Sequence, residues 1–355
     1  MTTSRTCRGR IFSLPKCRRS SLSWSAVCLF AVTLLLSGCQ LRPLVDPEFG
    51  TMIKIRINTD GIRNVTSDIY NEAIPVPEID PGVMHVLFYD TGTNSLISES
   101  FVSEKSTDGD GYTTISGRVS LVPGTYHIVS YDFGTESTIV DGHESFDLLH
   151  ATSGSVSETE LASYSSKAQD GSIVYTPDHL VVSTDREYEI PYHNGIHMIE
   201  TEASTIVETY YLQIKVDGLE YVSSARAFLS GMSGSSSTAS GDAVDQEGST
   251  IYFTLQKSED NGVPVICNIF NCFGRIPDAE NDLSVTFDIR TSDGRTVTRE
   301  FDITDLFESE DCINHNWLLL EETITIDPPQ TTPGTGGGFD PEVGDWEDEN
   351  HEIEI

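Results

Sequence analysis

Few residues in this 355-residue chain are placed where they could do chemistry, although it carries seven cysteines, nine histidines and fifty-six acids. Cys39 is the clearest. It closes the stretch Leu36-Ser37-Gly38-Cys39, where an apolar run stops and polar sequence begins. A thiol at such a boundary is a nucleophile whose use depends on the segment ahead of it. The other constellations point to structure instead. His193 and His197 are four apart, the spacing of a zinc pair on a helix, but Asn194-Gly195 between them reads as a turn. Asp108 and Asp110 in TDGDG resemble a fragment of a calcium loop without its later ligands, so a hairpin turn is expected. Cys267 and Cys272 are five apart, on opposite faces of any one strand, so they do not bridge each other; one disulfide to Cys312 stays open. There is no CxxC, GxSxG, HExxH or P-loop. Carboxylate pairs are too abundant at this composition to single out a dyad. The expectation is no enzyme, no cofactor and no metal.

The residues ahead of Cys39 supply its setting. Arg5, Arg8, Arg10, Lys16, Arg18 and Arg19 precede the run AVCLFAVTLLL, and no acid occurs before it. A basic start and a short apolar run are the layout of a secretory signal. The run is shorter than the ~20 apolar residues a span requires. Arg18-Arg19 lacks the context of a twin-arginine signal, so ordinary secretion is expected. With LSGC at its end, the segment resembles the lipobox of bacterial lipoproteins. In that family the cysteine is lipidated and the chain is cut before it. The resemblance implies a signal peptide over 1–38 and a chain held to the outer membrane by acyl chains such as palmitate on Cys39. Each buried methylene contributes about 0.8 kcal/mol to such an anchor. No later apolar run approaches membrane length.

Removing 1–38 leaves 317 residues (355 less 38) and takes the formal charge from −35 to −41, because six basic residues go with the leader. Phosphate recognition needs clustered Lys and Arg, so this excess of acid argues against nucleic acid and anionic lipid surfaces.

The rest of the chain reads as strands. TMIKIRIN (51–58) alternates Ile53, Ile55 and Ile57 with Lys54, Arg56 and Asn58. MHVLFYD (84–90) is a β-rich apolar run, with 95–104 as its hairpin partner. Two strands flank Pro123-Gly124, and 179–192 closes a first block. Residues 141–172 read as loop with a short helix around 157–163. A second block runs through 205–232, 251–257, 263–274, 283–291, 296–304 and 317–329, with SGSSSTASGD (233–242) as a flexible polar loop. His85 and His127 lie in apolar strands as packed or edge residues. Tyr126, Tyr131 and Phe133 read as core and corner residues, with a sugar platform as the minor alternative. The expected organisation is all-β: one sandwich over 39–200, a second over 201–330, and a glycine linker with an acidic tail over 331–355. The tail ends in HEIEI, where Ile353 and Ile355 alternate with glutamates, and it carries Trp346. It is either a disordered acidic segment or a strand that docks on a sheet edge.

Several stretches carry a wider likeness. RPLVD (42–46), INTDGIRNVTSDIYNE (57–72), MHVLFYD, VPGTYHIVSYDFGTE (122–136), TPDHLVV (176–182), TIVETYYLQIKV (205–216), ARAFLSGM (225–232) and GGFDPEVGDWED (337–348) resemble the FimB/Mfa2 family of fimbrial subunits and the allied DUF5119-type Bacteroidetes lipoproteins. The resemblance implies two transthyretin-like β-sandwiches and a role in anchoring or assembling fimbriae. It implies fimbrial subunits as partners, joined by strand exchange, with Trp346, Ile353 and Ile355 on the candidate exchange tail. It brings no catalytic residue. Gln40, Leu41 and Arg42, rather than acids, follow Cys39, so the side of the membrane stays open between periplasm and surface. A carbohydrate-binding surface lipoprotein is the alternative function. It would need a coplanar pair of exposed aromatic rings.

Overall fold

The isoleucine alternation forms β1 (Gly50–Asn58), with Ile53, Ile55 and Ile57 buried and Lys54 and Arg56 on the outer side. The computed structural model describes residues 50–59, 70–76, 78–161, 172–244, 248–276 and 283–329. All of these belong to one compact unit that begins at Gly50. Among the described residues, no helix is long and apolar enough to cross a membrane.

The first block continues with β2 (Met84–Asp90), β3 (Leu96–Val102), β4 (Glu104–Thr107), β5 (Thr113–Val119) and β6 (Gly124–Asp132). Then come β7 (Thr138–Asp141), β8 (His150–Ser153), the one-turn helix α1 (Glu158–Leu161), β9 (Ile173–Tyr175), β10 (Val181–Ile190) and β11 (Ile196–Thr205). Eight of these strands lie in the order β3-β2-β6-β10-β11-β1-β5-β4. The path folds into two layers of four, because β10 and β11 pair only through Val181 with Thr205 and Val182 with Ser204. Between the layers lie Ile53, Ile55, Phe88, Ile115, Ile128, Val181 and Ile199. At the other corner β3 and β4 are separated by Ser103 alone, and the one stretch pairs with β2 in one layer and β5 in the other. Gly117 of β5 permits that crossing, since a Cβ there would lie 2.6 Å from Val102 Cγ1.

The PGTY stretch has a local reason. Tyr126 Oη donates to the Val122 carbonyl at 2.9 Å, folding the ring over Gly124, where a Cβ would lie 3.2 Å from that hydroxyl. MHVLFYD reads as an unbroken apolar run because both its faces are covered. Met84, Val86 and Phe88 face the interlayer core. Leu87 and Tyr89 join a second cluster with Val129, Tyr131, Phe146 and Leu149.

The second block holds β12 (Glu208–Asp217), β13 (Val222–Met232), β14 (Ser235–Ser237), β15 (Ser249–Asp260) and β16 (Val263–Cys272). It ends with β17 (Ser284–Thr291), β18 (Thr296–Asp302), the helix α2 (Glu310–His315) and β19 (Trp317–Thr325). The long β15 serves both layers. Its first part pairs with β13 and its last part, from Gln256, with β16. Phe270 stacks on Phe253 at 4.5 Å and on Tyr210 at 5.8 Å within the core, pairs worth about 0.5–1.5 kcal/mol each beyond their burial. The chain is thus two β-sandwiches.

Two expectations need correction. The serine-rich stretch 233–242 is not a flexible loop: Ser235–Ser237 is β14, and Ser233, Ser236 and Thr238 are buried. Their small hydroxyls are satisfied by backbone carbonyls. Ser233 Oγ donates to Ser235 O, Ser236 Oγ to Asp242 O, and Thr238 Oγ1 to Leu149 O. Within 141–172, β8 and buried Phe146, Leu149 and Ala151 replace the expected loop, while α1 falls inside the expected helix. These pieces join the blocks. β14 pairs with β8 in a small sheet β14-β8-β7, and β9 pairs in parallel with β15. Residue 200 lies inside β11.

Candidate functional site

The seam between β10 and β11 is the least complete pairing in the first sandwich. On one side β11 is fully used, lying parallel to β1 from Ile196 opposite Gly50 to Ser204 opposite Asn58. On the other side it meets β10 at only two positions. Residues 196–203 therefore carry no ladder partner on that side among the described residues, and β10 has the same gap from Ser183 to Ile190. Two features hold the seam apart. The strands belong to opposing layers, which stand about 10 Å apart in packed sheets. In addition β10 bulges between Asp185 and Tyr188, with Glu187 at φ 57. The Glu187 N–H turns to His127 Nδ1 at 3.2 Å.

Several side chains at the seam are unsatisfied or exposed. Asp185 Oδ2 and His197 Nε2 are buried without hydrogen-bond partners. Ile196 is 49% and Met198 40% exposed on the outward side of β11, and Tyr192 in the connecting loop is 95% exposed. Two of the other edges are guarded. β4 is Glu-Lys-Ser-Thr, exposed throughout, and β18 carries Arg299 and Glu300. Charged, short edges resist pairing, whereas an apolar unpaired edge invites a strand from another chain.

The residues singled out in the sequence fall in several places. Asp108 Oδ1 accepts from the N–H groups of Asp110 (3.0 Å) and Tyr112 (2.9 Å), closing the β4–β5 turn. Arg56 bridges both carboxylates, at 3.3 Å to Asp108 and 3.6 Å to Asp110. His193 and His197 have ring centroids 5.3 Å apart across the β10–β11 turn, and His193 faces the Gly50 and Pro191 carbonyls. Cys267 sits in a small cluster with Tyr211, while Cys272 and Cys312 share the main core; all three are free thiols. Opposite faces for Cys267 and Cys272 follow from their spacing on β16. Cys39, Trp346, Ile353 and Ile355 lie outside the described residues.

The aromatics divide. Tyr126 and Tyr131 are buried, and Phe133 is 53% exposed. Tyr131 Oη lies between His85 Nδ1 (2.7 Å) and His143 Nε2 (2.6 Å), and His85 Nε2 meets Glu99 at 3.0 Å. Burial pulls the His85 pKa down against the opposing pull of Glu99. Phe101 stacks on His85 at 4.2 Å and meets Phe133 at 5.0 Å with the planes 69° apart. That exposed pair is edge-on and does not make the coplanar platform a sugar ring requires. Neither the seam nor this cluster could be located from composition, because both depend on which strands end up at the sandwich corners.

Comparison with known proteins adds a family to this geometry. The family described as Domain of unknown function (DUF5119) matches residues 69–254, just over half of the chain. A curated relative from Bacteroides ovatus, described as a candidate fimbrium anchoring subunit, Fim4B, is 22% identical over 242 residues. That match covers 68% of this chain and 63% of the relative, so less than two thirds of the relative's length is spanned. A solved candidate adhesin from Bacteroides ovatus ATCC 8483 is similar in fold, with TM-score 0.54 and 19% identity over 83% of this chain and 98% of that one. The fimbrial anchor protein Mfa2 from Porphyromonas gingivalis aligns with TM-score 0.44 and 11% identity over 76% and 87% of the two chains.

Proposed function

From the premise that this chain belongs to the DUF5119 family, we propose that it is a lipid-anchored envelope protein that acts as a fimbrium anchor or accessory subunit. It works by contact rather than by converting a substrate. Cys39 carries the lipid and holds the chain to the outer membrane. The sandwiches engage a fimbrial subunit by strand addition. The likeness to Fim4B supports the fimbrial setting, and the leader ending in LSGC supports the anchor.

The observation that carries strand addition is the open side of β11, where eight residues lack a ladder partner among the described residues and Ile196 and Met198 face outward. An added strand would hydrogen-bond along that edge and set alternate side chains against those two. Asp185 Oδ2 and His197 Nε2 would gain donors or acceptors from it.

Co-purification tests the reading. Envelopes solubilised in detergent should yield fimbrial subunits with the wild-type chain. Met198→Lys places a charge on the edge without touching the core, and should cut capture at least tenfold at unchanged melting temperature. Equal capture by both chains would remove the seam from the account.

A further inference from the structure

Away from the seam, a cavity of about 360 Å³ opens where the β6–β7 connection, the segment before β2 and the segment before β10 meet β16. Glu78, Asp80, Asp132, Glu136 and Asp178 line it, and no lysine or arginine does. Only two of these acids have a clear partner. Lys105 pairs with Asp80. Asp178 Oδ2 accepts from the N–H groups of Glu136 (2.6 Å) and Ser137 (2.5 Å). The half-buried Asp132 carboxylate has neither a hydrogen bond nor an ion pair among the described residues.

His179 gives an independent pointer to what the cavity takes. It lines the cavity, is 8% exposed, and its Nδ1 is buried without a partner. The surrounding bonds fix its tautomer. Asn271 Nδ2 donates to the Pro177 carbonyl at 3.0 Å, so Asn271 Oδ1 is the acceptor for Thr209 Oγ1 at 2.8 Å. The Thr209 hydroxyl has then spent its proton and can only accept from His179 Nε2–H, 3.4 Å away. Nδ1 is left as a bare lone pair. Burial holds the ring neutral, with its pKa lowered to about 4. The cavity thus carries carboxylates on its wall and, in the buried ring of His179 just behind that wall, an imidazole lone pair, all acceptors.

An occupant must bring several donors and positive charge. Among the described residues no three His, Cys, Asp or Glu side chains are grouped to hold a metal ion, which turns the argument from a bare cation to an organic one. Phe133, half exposed at the rim, brings an aromatic ring within reach of a cationic head or an alkyl stem. We propose that this cavity binds a guanidinium or primary ammonium group, as carried by an arginine or lysine side chain of a partner protein. The inference stands apart from strand addition and does not need it.

Titration calorimetry on the full chain in detergent tests it, with Ac-Gly-Arg-Gly-amide and Ac-Gly-Lys-Gly-amide as probes and the citrulline peptide, cadaverine and calcium chloride for comparison. The Arg or Lys peptide should bind, and the citrulline peptide should not. Asp132→Asn should weaken binding at least tenfold, and Phe133→Leu, which leaves every acid in place, should weaken it several-fold. The His179 Nδ1 resonance should move on binding in the wild-type chain. Tighter binding of the peptides than of cadaverine assigns a partner's side chain, the reverse a free polyamine, and both support an organic-cation site. Silence with all the organic probes, equal binding of the citrulline peptide, indifference to Asp132→Asn, or saturation by calcium in their place would overturn it. None of these results bears on Met198→Lys, so the two readings fail separately.

Discussion

Asp132 carries an unbalanced charge, and removing it should stabilise the protein. Burial, then the neighbouring Asp178 and Asp80, push its pKa from 3.8 to about 6. Glu78, Glu136 and the neutral His179 also line this cavity, and Lys105 is held by Asp80 at its edge. In the unfolded chain the carboxyl ionises through about pH 4, and in the folded chain through about pH 6. The native state therefore binds more protons between those values, and the group's contribution falls as pH rises across the window. A shift of about two units corresponds to roughly 3 kcal/mol at full strength. Asp132 is partly open to solvent, whose screening reduces this to ~1–2 kcal/mol. Asp132→Asn should thus raise stability by ~1–2 kcal/mol at about pH 7.5, or some 2–6 °C in melting temperature, and by almost nothing at about pH 4. Calorimetric melts of both chains at the two pH values in low salt check this. A gain of equal size at both pH values, or a loss at the higher one, would show that the carboxylate is already compensated.

Three further outcomes follow from other parts of the molecule. Gly117→Ala puts a methyl 2.6 Å from Val102 Cγ1 at the closed β3–β5 corner, and denaturant unfolding should show a loss of ~1–3 kcal/mol. Cys267, Cys272 and Cys312 are buried free thiols, and burial raises each pKa, that of Cys312 to about 11. A thiol reagent at about pH 8 should leave all three unmodified in the folded chain and reach them once guanidinium unfolds it. Cells fed a clickable fatty acid should label the native chain and not the Cys39→Ala chain; equal labelling would remove the anchor.

Much of the fold was legible because β periodicity is a local property. The alternation of Ile53, Ile55 and Ile57, the turns at Asp108–Tyr112 and Ser292–Gly294, and the opposed faces of Cys267 and Cys272 each follow from a few neighbouring residues. What escaped depends on distant partners. Ser235–Ser237 becomes a strand because β8 offers it an edge, and Ser236 is buried there with its hydroxyl on the Asp242 carbonyl. The helix α2 was missed although SEDCINHN carries its signals. Ser309 caps the Cys312 N–H at 3.1 Å and Asn316 closes the helix at φ 59. The candidate sites were less legible still. The seam exists because two strands lie in different layers at one corner. The acidic cavity gathers segments around residues 80, 132, 178 and 271, which no spacing rule connects.

Strand addition at the β10–β11 seam is most directly tested by photo-crosslinking in the native envelope. A benzoylphenylalanine at Met198 should yield a covalent adduct with a fimbrial subunit, and the same probe at Thr296 on the β18 edge should not. Adducts of equal yield from both positions, or from Thr296 alone, would contradict the account.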